Sequence, residues 1–171
     1  MEYSYYEDRI NKNTVGKYDV TPLFSDADVF YHLISDLAEP FRDTVFDKVV
    51  GLEALGFILG AALAQHLKKG FICIRKSGKL PNVEDDILRT ASFVDYTNTD
   101  KSFEINKLSI RKGEKILLVD DWIETGTQMR AAIQLIEQLG GEIVGITCLC
   151  AQKNERTRSL FDKYVVASIK K

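Results

Sequence analysis

Apolar residues recur at helical spacing in three segments of the chain. Within residues 26–41 the apolar positions lie three or four residues apart, which predicts a helix with one buried face. Residues 57–67 are apolar or small on most sides, so we expect this second helix to be buried. Residues 127–139 combine an apolar stripe with polar faces, and the glycine at position 140 is expected to end this third helix.

Short apolar runs without polar alternation separate these helices and are typical of strands covered on both faces. The predicted strands lie at residues 49–51, 71–74, 115–119, 143–150 and 164–169, with a short helix at 154–161. This alternation predicts an α/β fold with an open, doubly wound, mostly parallel sheet. Ligands of such sheets bind beyond the carboxyl ends of the strands.

The pattern indicates one domain with three regions. Residues 1–40 start with a polar, Tyr-rich stretch and form an N-terminal arm, and residues 41–171 form the core. Residues 76–107 are rich in Asp, Thr, Asn and Lys and are predicted to project as a flexible loop or two-stranded flap that closes over a site. A surface hairpin without a gating role is the alternative.

Composition limits the possible partners and the compartment. The 23 basic and 25 acidic residues give a formal charge of -2, so nothing global favours binding to nucleic acid. The three cysteines, Cys73, Cys148 and Cys150, lie in apolar runs without metal-binding spacing, which favours reduced thiols and a cytoplasmic location. No long apolar run or signal-peptide pattern is present, so we expect no membrane partner.

Residues 116–127 carry the most informative chemistry, since a buried strand leads into two acids, a short loop and a helix start. Backbone amides at a helix start, with Gly126 and the hydroxyls of Thr125 and Thr127, suit a phosphate monoester. Asp120 and Asp121 would repel that phosphate, but they could accept hydrogen bonds from sugar hydroxyls or orient hydrated magnesium. Together these groups indicate a sugar phosphate. The simpler alternative is a Thr-capped helix that follows two solvated acids.

This segment resembles the phosphoribosyl pyrophosphate signature of type I phosphoribosyltransferases, which has four apolar residues, two acids and a loop ending in Thr-Gly or Ala-Gly. The resemblance implies that Asp120 and Asp121 bind the ribose hydroxyls. It also implies that the loop wraps the 5-phosphate. The loop residues are Glu124, Thr125, Gly126, Thr127 and Gln128.

Residues 49–60 and 64–81 are similar to adenine phosphoribosyltransferases, the subfamily that the chain resembles most. The resemblance implies that the turn Glu53-Ala54-Leu55 holds pyrophosphate and that a basic stretch neutralises it. Cations are needed there because the departing pyrophosphate carries several negative charges. The implied cations are Arg75, Lys76 and Lys79. By themselves, these three residues could equally form a solvated loop.

Residues 18–23, Tyr-Asp-Val-Thr-Pro-Leu, resemble the hood that covers the base in the adenine enzymes. Tyr18 and Leu55 occupy positions where those enzymes carry arginine, which leaves the identity of the base open. Trp122, after the acid pair, could stack on a base or pack beneath the loop. We therefore take Tyr18, Leu55 and Trp122 as candidate base-binding residues.

Two carboxylates are candidates for moving the proton on the base nitrogen. Asp95 lies where the adenine enzymes carry a Ser-Leu-Glu-Tyr pattern, and it would stand for their glutamate. Glu124 is the rival, at the loop position where hypoxanthine-guanine enzymes place an aspartate. Either side chain could instead be a solvated surface acid.

The resemblance implies a Mg²⁺-dependent transferase that moves ribose 5-phosphate from phosphoribosyl pyrophosphate to a purine-type base, releasing pyrophosphate. Mg²⁺ would be held mainly by the substrate, with Asp120 and Asp121 as candidate ligands, and the family implies a homodimer. One alternative is a regulatory sensor of the same fold that binds phosphoribosyl pyrophosphate without transferring it. Another is an unrelated phosphosugar enzyme, although no dinucleotide or P-loop glycine motif is present.

Overall fold

The computed structural model describes residues 1–15, 18–81, 84–94 and 100–170. The α-helices are α1 (Tyr3–Glu7), α2 (Pro22–Ser25), α3 (Ala27–Ala38), α4 (Leu55–Leu67), α5 (Thr127–Gln138) and α6 (Arg158–Lys163). The strands are β1 (Lys48–Leu52), β2 (Gly70–Lys76), β3 (Ile87–Arg89), β4 (Phe93–Val94), β5 (Asp100–Lys101), β6 (Phe103–Asn106), β7 (Lys115–Ile123), β8 (Glu142–Ala151) and β9 (Val166–Lys170). Two 3-10 helices span Glu39–Phe41 and Glu84–Asp86.

Seven strands form the central sheet in the order β3-β6-β2-β1-β7-β8-β9. The five strands from β2 to β9 in this order run parallel, whereas β6 and β3 add an antiparallel edge. The predicted α/β fold with a mostly parallel sheet is therefore confirmed.

Helices cover both faces of the sheet because successive residues of a buried strand point to opposite sides. Ile116 and Leu118 of β7 join a hydrophobic cluster that includes residues of α5. Leu117 and Val119 join a second cluster that includes residues of α3 and α4. Strand β7 is thus buried on both faces, as its unbroken apolar run predicts.

The described residues of the N-terminal arm pack directly on the core. Tyr6 and Leu23 are almost fully buried in the same cluster as Leu117. The Tyr6 hydroxyl donates to the Asp36 carboxylate over 2.6 Å, which ties α1 to α3. This packing brings residue 18 of the arm to the carboxyl end of the sheet.

The segment 76–107 lies partly within the sheet. Its strand β6 pairs with both β2 and β3, while β4 and β5 form a separate two-stranded ribbon. Whether the segment gates a site stays a prediction.

Cys73, Cys148 and Cys150 are free thiols. Burial, and then the nearby Asp120 carboxylate, raise the pKa of the Cys148 thiol well above its ordinary value, so this group stays protonated at neutral pH. Throughout the described part of the chain, every helix is too short or too polar to cross a bilayer.

Candidate active site

One cavity of about 570 Å³ opens beyond the carboxyl ends of β1 and β7. These neighbouring strands are parallel, so the turn after β1 and the loop after β7 meet at the same edge. The predicted site residues that line the cavity are Tyr18, Glu53, Ala54, Leu55, Lys76, Asp120, Asp121, Trp122, Glu124, Thr125, Gly126, Thr127 and Gln128. The motifs identified in sequence thus come together around one volume.

The acid pair lies on the last part of β7. Asp120 is 6% exposed, and its Oδ1 accepts a hydrogen bond from the Asp121 amide over 2.9 Å. Asp121 Oδ1 accepts in turn from the Trp122 amide over 2.9 Å. Each carboxylate is therefore oriented by the next backbone amide before any ligand binds.

Helix α4 begins close to Asp120. A side chain at Gly56 would place its Cβ 2.9 Å from the Val119 carbonyl oxygen and 3.2 Å from Asp120 Oδ1. Glycine therefore permits the close approach of helix and strand that seats the acid pair.

The loop between β7 and α5 turns sharply at Gly126, whose φ is +72°, a left-handed conformation that favours glycine. The loop is tied from its outer side: Arg130 donates to the Thr125 carbonyl over 3.0 Å, and Asn154 Nδ2 donates to the Glu124 carbonyl over 2.9 Å. These hydrogen bonds fix the loop at the N-terminus of α5, where the positive end of the helix dipole favours an anion.

Glu53, which follows β1, forms ion pairs with two basic side chains. Its side chain is 8% exposed and contacts Lys79 Nζ and, at 3.5 Å, Arg75 Nε. Its Oε2 also accepts from the Lys76 amide over 3.1 Å. Burial raises the pKa of the Glu53 carboxyl, but the Lys79 and Lys76 hydrogen bonds outweigh burial and leave the pKa below its ordinary value.

Lys76 lines the cavity, whereas Arg75 and Lys79 do not. These two cations lie behind the cavity wall and contact it through Glu53. Two of the three cations, Arg75 and Lys79, thus pair with Glu53, while Lys76 contacts Glu53 through its backbone amide and lines the cavity.

Aromatic side chains form the other end. The rings of Tyr18 and Trp122 meet edge to face, with centroids 5.8 Å apart and planes at 77°. Leu55, the first residue of α4, lines the same cavity. This is an apolar, aromatic surface of the kind on which a planar base packs.

Of the two proton-transfer candidates, Glu124 lines the cavity. Asp95 lies outside the described residues. The choice between them stays a prediction.

The fit to Mg²⁺ depends on the donors available. In the described ranges, His, Cys, Asp and Glu side chains nowhere gather in threes close enough to hold a metal ion. Mg²⁺ usually takes one or two protein carboxylates and completes its shell with water and substrate phosphates. Asp120 and Asp121 fit that limited role.

Sequence reasoning missed several residues around the site. Thr14, Val20, Ile123, Met129 and Gln152 also line the cavity. Arg130 and Asn154 donate to the carbonyls of the loop between β7 and α5, and these tertiary contacts leave no local motif in the sequence. Glu104 was missed as well, because a charged residue inside a short strand usually predicts a position that faces solvent, whereas Glu104 is buried.

Comparison with known proteins identifies the family of the chain. Residues 26–171 match the phosphoribosyl transferase domain family. The chain is 46% identical over 134 residues to adenine phosphoribosyltransferase of Dinoroseobacter shibae, a match covering 77% of this chain and 70% of the relative. It is 49% identical over 129 residues to adenine phosphoribosyltransferase of Cereibacter sphaeroides, covering 74% of this chain and 68% of the relative.

Solved structures of adenine phosphoribosyltransferases have the same fold as this chain. Adenine phosphoribosyltransferase from Rhodothermus marinus superposes with a TM-score of 0.85 at 32% identity, covering 98% of this chain and 96% of that one. The Saccharomyces cerevisiae enzyme, complexed with adenine and an imino-altritol bisphosphate, superposes with a TM-score of 0.82 at 29% identity, covering 98% and 97%. The comparisons do not favour the regulatory alternative. The chain therefore belongs to the phosphoribosyltransferase family and is a pentosyltransferase.

Proposed function

We propose that this chain transfers ribose 5-phosphate from phosphoribosyl pyrophosphate to adenine, forming a nucleoside 5-monophosphate and pyrophosphate. The observation that carries the proposal is the convergence of the acid pair, the glycine-turned phosphate loop and the Glu53 turn on one cavity. The reaction must bind four groups, namely ribose, 5-phosphate, pyrophosphate and base. For each of them, part of the cavity wall carries side chains or amides of suitable chemistry.

The ribose and its 5-phosphate occupy the β7 side of the cavity. Asp120 and Asp121 accept hydrogen bonds from the two ribose hydroxyls, since both carboxylates lie at the strand end beside the loop. The 5-phosphate binds residues 124–128 at the N-terminus of α5, which the helix dipole favours.

The pyrophosphate occupies the side formed by Glu53, Ala54 and Leu55. Lys76 reaches it from the cavity wall, and Arg75 and Lys79 add positive charge from behind Glu53. Charge develops on the leaving group in the transition state, and fixed cations stabilise charge without reorganising. Mg²⁺, when bound, would neutralise part of the pyrophosphate charge, with Asp120 and Asp121 as its protein ligands.

The base packs against Tyr18, Leu55 and Trp122, so Leu55 borders both the base and the pyrophosphate. A carboxylate near the base nitrogen takes up its proton as the new bond to the ribose carbon forms. Asp95 and Glu124 are the two candidates. We favour Asp95, on its position after the Ser92-Phe93-Val94 run.

Adenine is proposed as the base because both curated relatives are named adenine phosphoribosyltransferases. The experiment is pyrophosphate release from phosphoribosyl pyrophosphate and Mg²⁺ with adenine, hypoxanthine, guanine and xanthine in parallel. We expect release with adenine. Pyrophosphate release with another purine but not with adenine would mean that the proposed base is wrong. Binding of phosphoribosyl pyrophosphate without pyrophosphate release for any base would indicate a sensor.

We also propose a cytoplasmic homodimer. Supporting it, Ile58 of α4 is 42% exposed, and Tyr31 of α3, which is 64% exposed, packs edge to face against His66 of α4. Ile58 and His66 lie eight positions apart and so share a helix face. Light scattering coupled to gel filtration tests the assembly, and a monomer at micromolar concentration would refute it.

A further inference from the structure

Strand β6 carries a carboxylate that is completely buried at the sheet edge next to the active site. Glu104 is 0% exposed and lies in register between Arg75 of β2 and Arg89 of β3. Side chains at paired positions of neighbouring strands share one face of the sheet. Acids and arginines therefore alternate from strand to strand here, in the order Glu53, Arg75, Glu104, Arg89.

Both oxygens of Glu104 are fully engaged. Its Oε1 accepts from the Lys79 and Leu80 amides over 2.8 and 2.7 Å. Its Oε2 accepts from the Gly78 amide over 3.0 Å and from Arg89 Nε over 3.1 Å. Three successive amides that converge on one anion form a nest, and here the anion is the protein's own side chain.

The charge of Glu104 is maintained by these contacts. Burial raises the pKa of its carboxyl, but the Gly78, Leu80 and Lys79 amides and the Arg89 guanidinium outweigh burial and lower the pKa overall. An unpaired carboxylate would be strongly disfavoured at a buried position. The loop must therefore keep its nest around Glu104 whenever this part of the sheet is folded.

The loop held in this way carries Lys79. The Lys79 amide is bound by Glu104, its carbonyl accepts from Arg75 Nη1 over 3.0 Å, and its ammonium contacts Glu53. Gly78 allows the turn because its φ is +85°. Fixing the backbone at both sides of Lys79 leaves its side chain directed at Glu53, which lines the cavity.

We propose that Glu104 is a positioning residue for the pyrophosphate end of the substrate: it shapes the loop 78–80 and thereby holds Lys79 against Glu53. The inference rests on the proposed function, because it assigns pyrophosphate to the Glu53 side of the cavity. It adds a residue that never reaches the cavity itself.

The test is calorimetric binding of two probes, Mg²⁺-pyrophosphate and AMP, to wild type and Glu104→Gln. The amide keeps the size of the carboxylate but loses its charge and presents an NH₂ group to the nest. We expect pyrophosphate binding to weaken by about tenfold or more, as small displacements of binding groups do. AMP affinity should stay within about twofold, because AMP lacks the pyrophosphate that is proposed to bind on the Glu53 side of the cavity.

Glu114→Gln is the matched control. Glu114 also has a lowered pKa, accepts from the Arg111 amide over 2.8 Å and pairs with Lys48 over 2.7 Å. It lies just before β7, at the amino end of the parallel strands, whereas the cavity opens beyond their carboxyl ends. We expect this variant to bind both probes like wild type.

A second pair of variants serves if Glu104→Gln does not fold. Gly78→Ala and Gly113→Ala both place alanine at a positive φ, +85° and +83°, where the added Cβ meets nothing within 4 Å. The backbone strain is therefore matched, and only Gly78 lies in the nest. We expect Gly78→Ala alone to weaken pyrophosphate binding, by about threefold.

The outcomes separate the two claims. Unchanged pyrophosphate binding in Glu104→Gln, or equal weakening of pyrophosphate and AMP, would overturn the positioning role. If wild type binds neither probe, the proposed function itself fails and the inference with it. If Glu104→Gln and Gly78→Ala lose pyrophosphate affinity but keep AMP affinity, while Glu114→Gln and Gly113→Ala bind both probes like wild type, the proposed function and the positioning role both stand.

Discussion

The ring of Tyr18 meets the ring of Trp122 edge to face across the cavity, with 5.8 Å between centroids. Tyr18 comes from the N-terminal arm and Trp122 from the end of β7, more than 100 residues later in the chain. The contact lines part of the cavity with two aromatic surfaces. On the proposed function, base binding therefore requires that the arm packs on the core.

Trp122→Leu should therefore raise the KM for the base by about three- to tenfold, since aromatic contacts of this kind contribute about 0.5–1.5 kcal/mol. The KM for phosphoribosyl pyrophosphate should change little. Steady-state kinetics, with each substrate varied in turn, measures the two KM values separately. Leu108→Ala, which shortens an exposed apolar side chain outside the cavity, is the control, and an equal effect of both variants would contradict the assignment.

Gly126→Ala should impair binding of the 5-phosphate. At φ +72° the added Cβ would lie 2.8 Å from Arg130 Nη1 and 2.9 Å from Leu160 Cδ1, so the loop must move. We expect a loss of about 1–3 kcal/mol in stability and a raised KM for phosphoribosyl pyrophosphate. Gly113→Ala carries the same strain without the clash, and kinetics and thermal melts of the two variants should differ accordingly.

Gly56→Ala should disturb the acid pair through packing alone. A Cβ at this position meets the Val119 carbonyl oxygen and Asp120 Oδ1, so α4 and β7 must separate. The expected destabilisation is about 1–3 kcal/mol, as for other overpacked sites, together with weaker binding of phosphoribosyl pyrophosphate. At Gly70 the nearest atom would be Lys48 Cγ at 3.5 Å, an ordinary contact, and Gly70→Ala should leave that binding unchanged.

The pH dependence of stability should reflect the lowered carboxyl pKa values of Glu53 and Glu104. A carboxyl whose folded pKa lies below its unfolded value stabilises the fold at higher pH. That stabilisation is lost as pH falls below the unfolded value of 4.5 and through the folded pKa. Thermal melts from pH 7 to pH 3 should show the stability gap between wild type and Glu104→Gln narrowing towards low pH. A gap that stays constant would contradict the linkage.

Long apolar runs made the centre of the sheet predictable. Strand β7 is buried on both faces and has a continuous apolar stretch, so its position followed from the pattern alone. Strand β6, which lies between β2 and the edge strand β3, was not predicted, because Glu104 between Phe103 and Ile105 suggests a polar face. In the structure all three are buried, since three backbone amides and Arg89 satisfy the carboxylate.

The sequence allowed prediction of those parts of the candidate site whose residues are close together in the chain. The acid pair and the phosphate loop lie within residues 120–128, so their types and spacing could be interpreted directly. The supports are scattered: Arg130 and Asn154 bind the loop from two different elements, and Gln152 reaches the cavity from the segment after β8. Such contacts depend on tertiary geometry, which a single sequence does not reveal.

The central claim is that the cavity at the end of β7 binds phosphoribosyl pyrophosphate through Asp120 and Asp121 and passes its ribose 5-phosphate to a base. The most direct measurement is calorimetric binding of phosphoribosyl pyrophosphate with Mg²⁺ to wild type and to Asp120→Asn/Asp121→Asn, followed by pyrophosphate release with adenine. We predict that the variant binds about 100-fold more weakly, because hydrogen bonds to charged groups contribute about 1.5–3 kcal/mol each, and that only wild type releases pyrophosphate. Equal binding by the two proteins, or no binding by wild type, would contradict the claim.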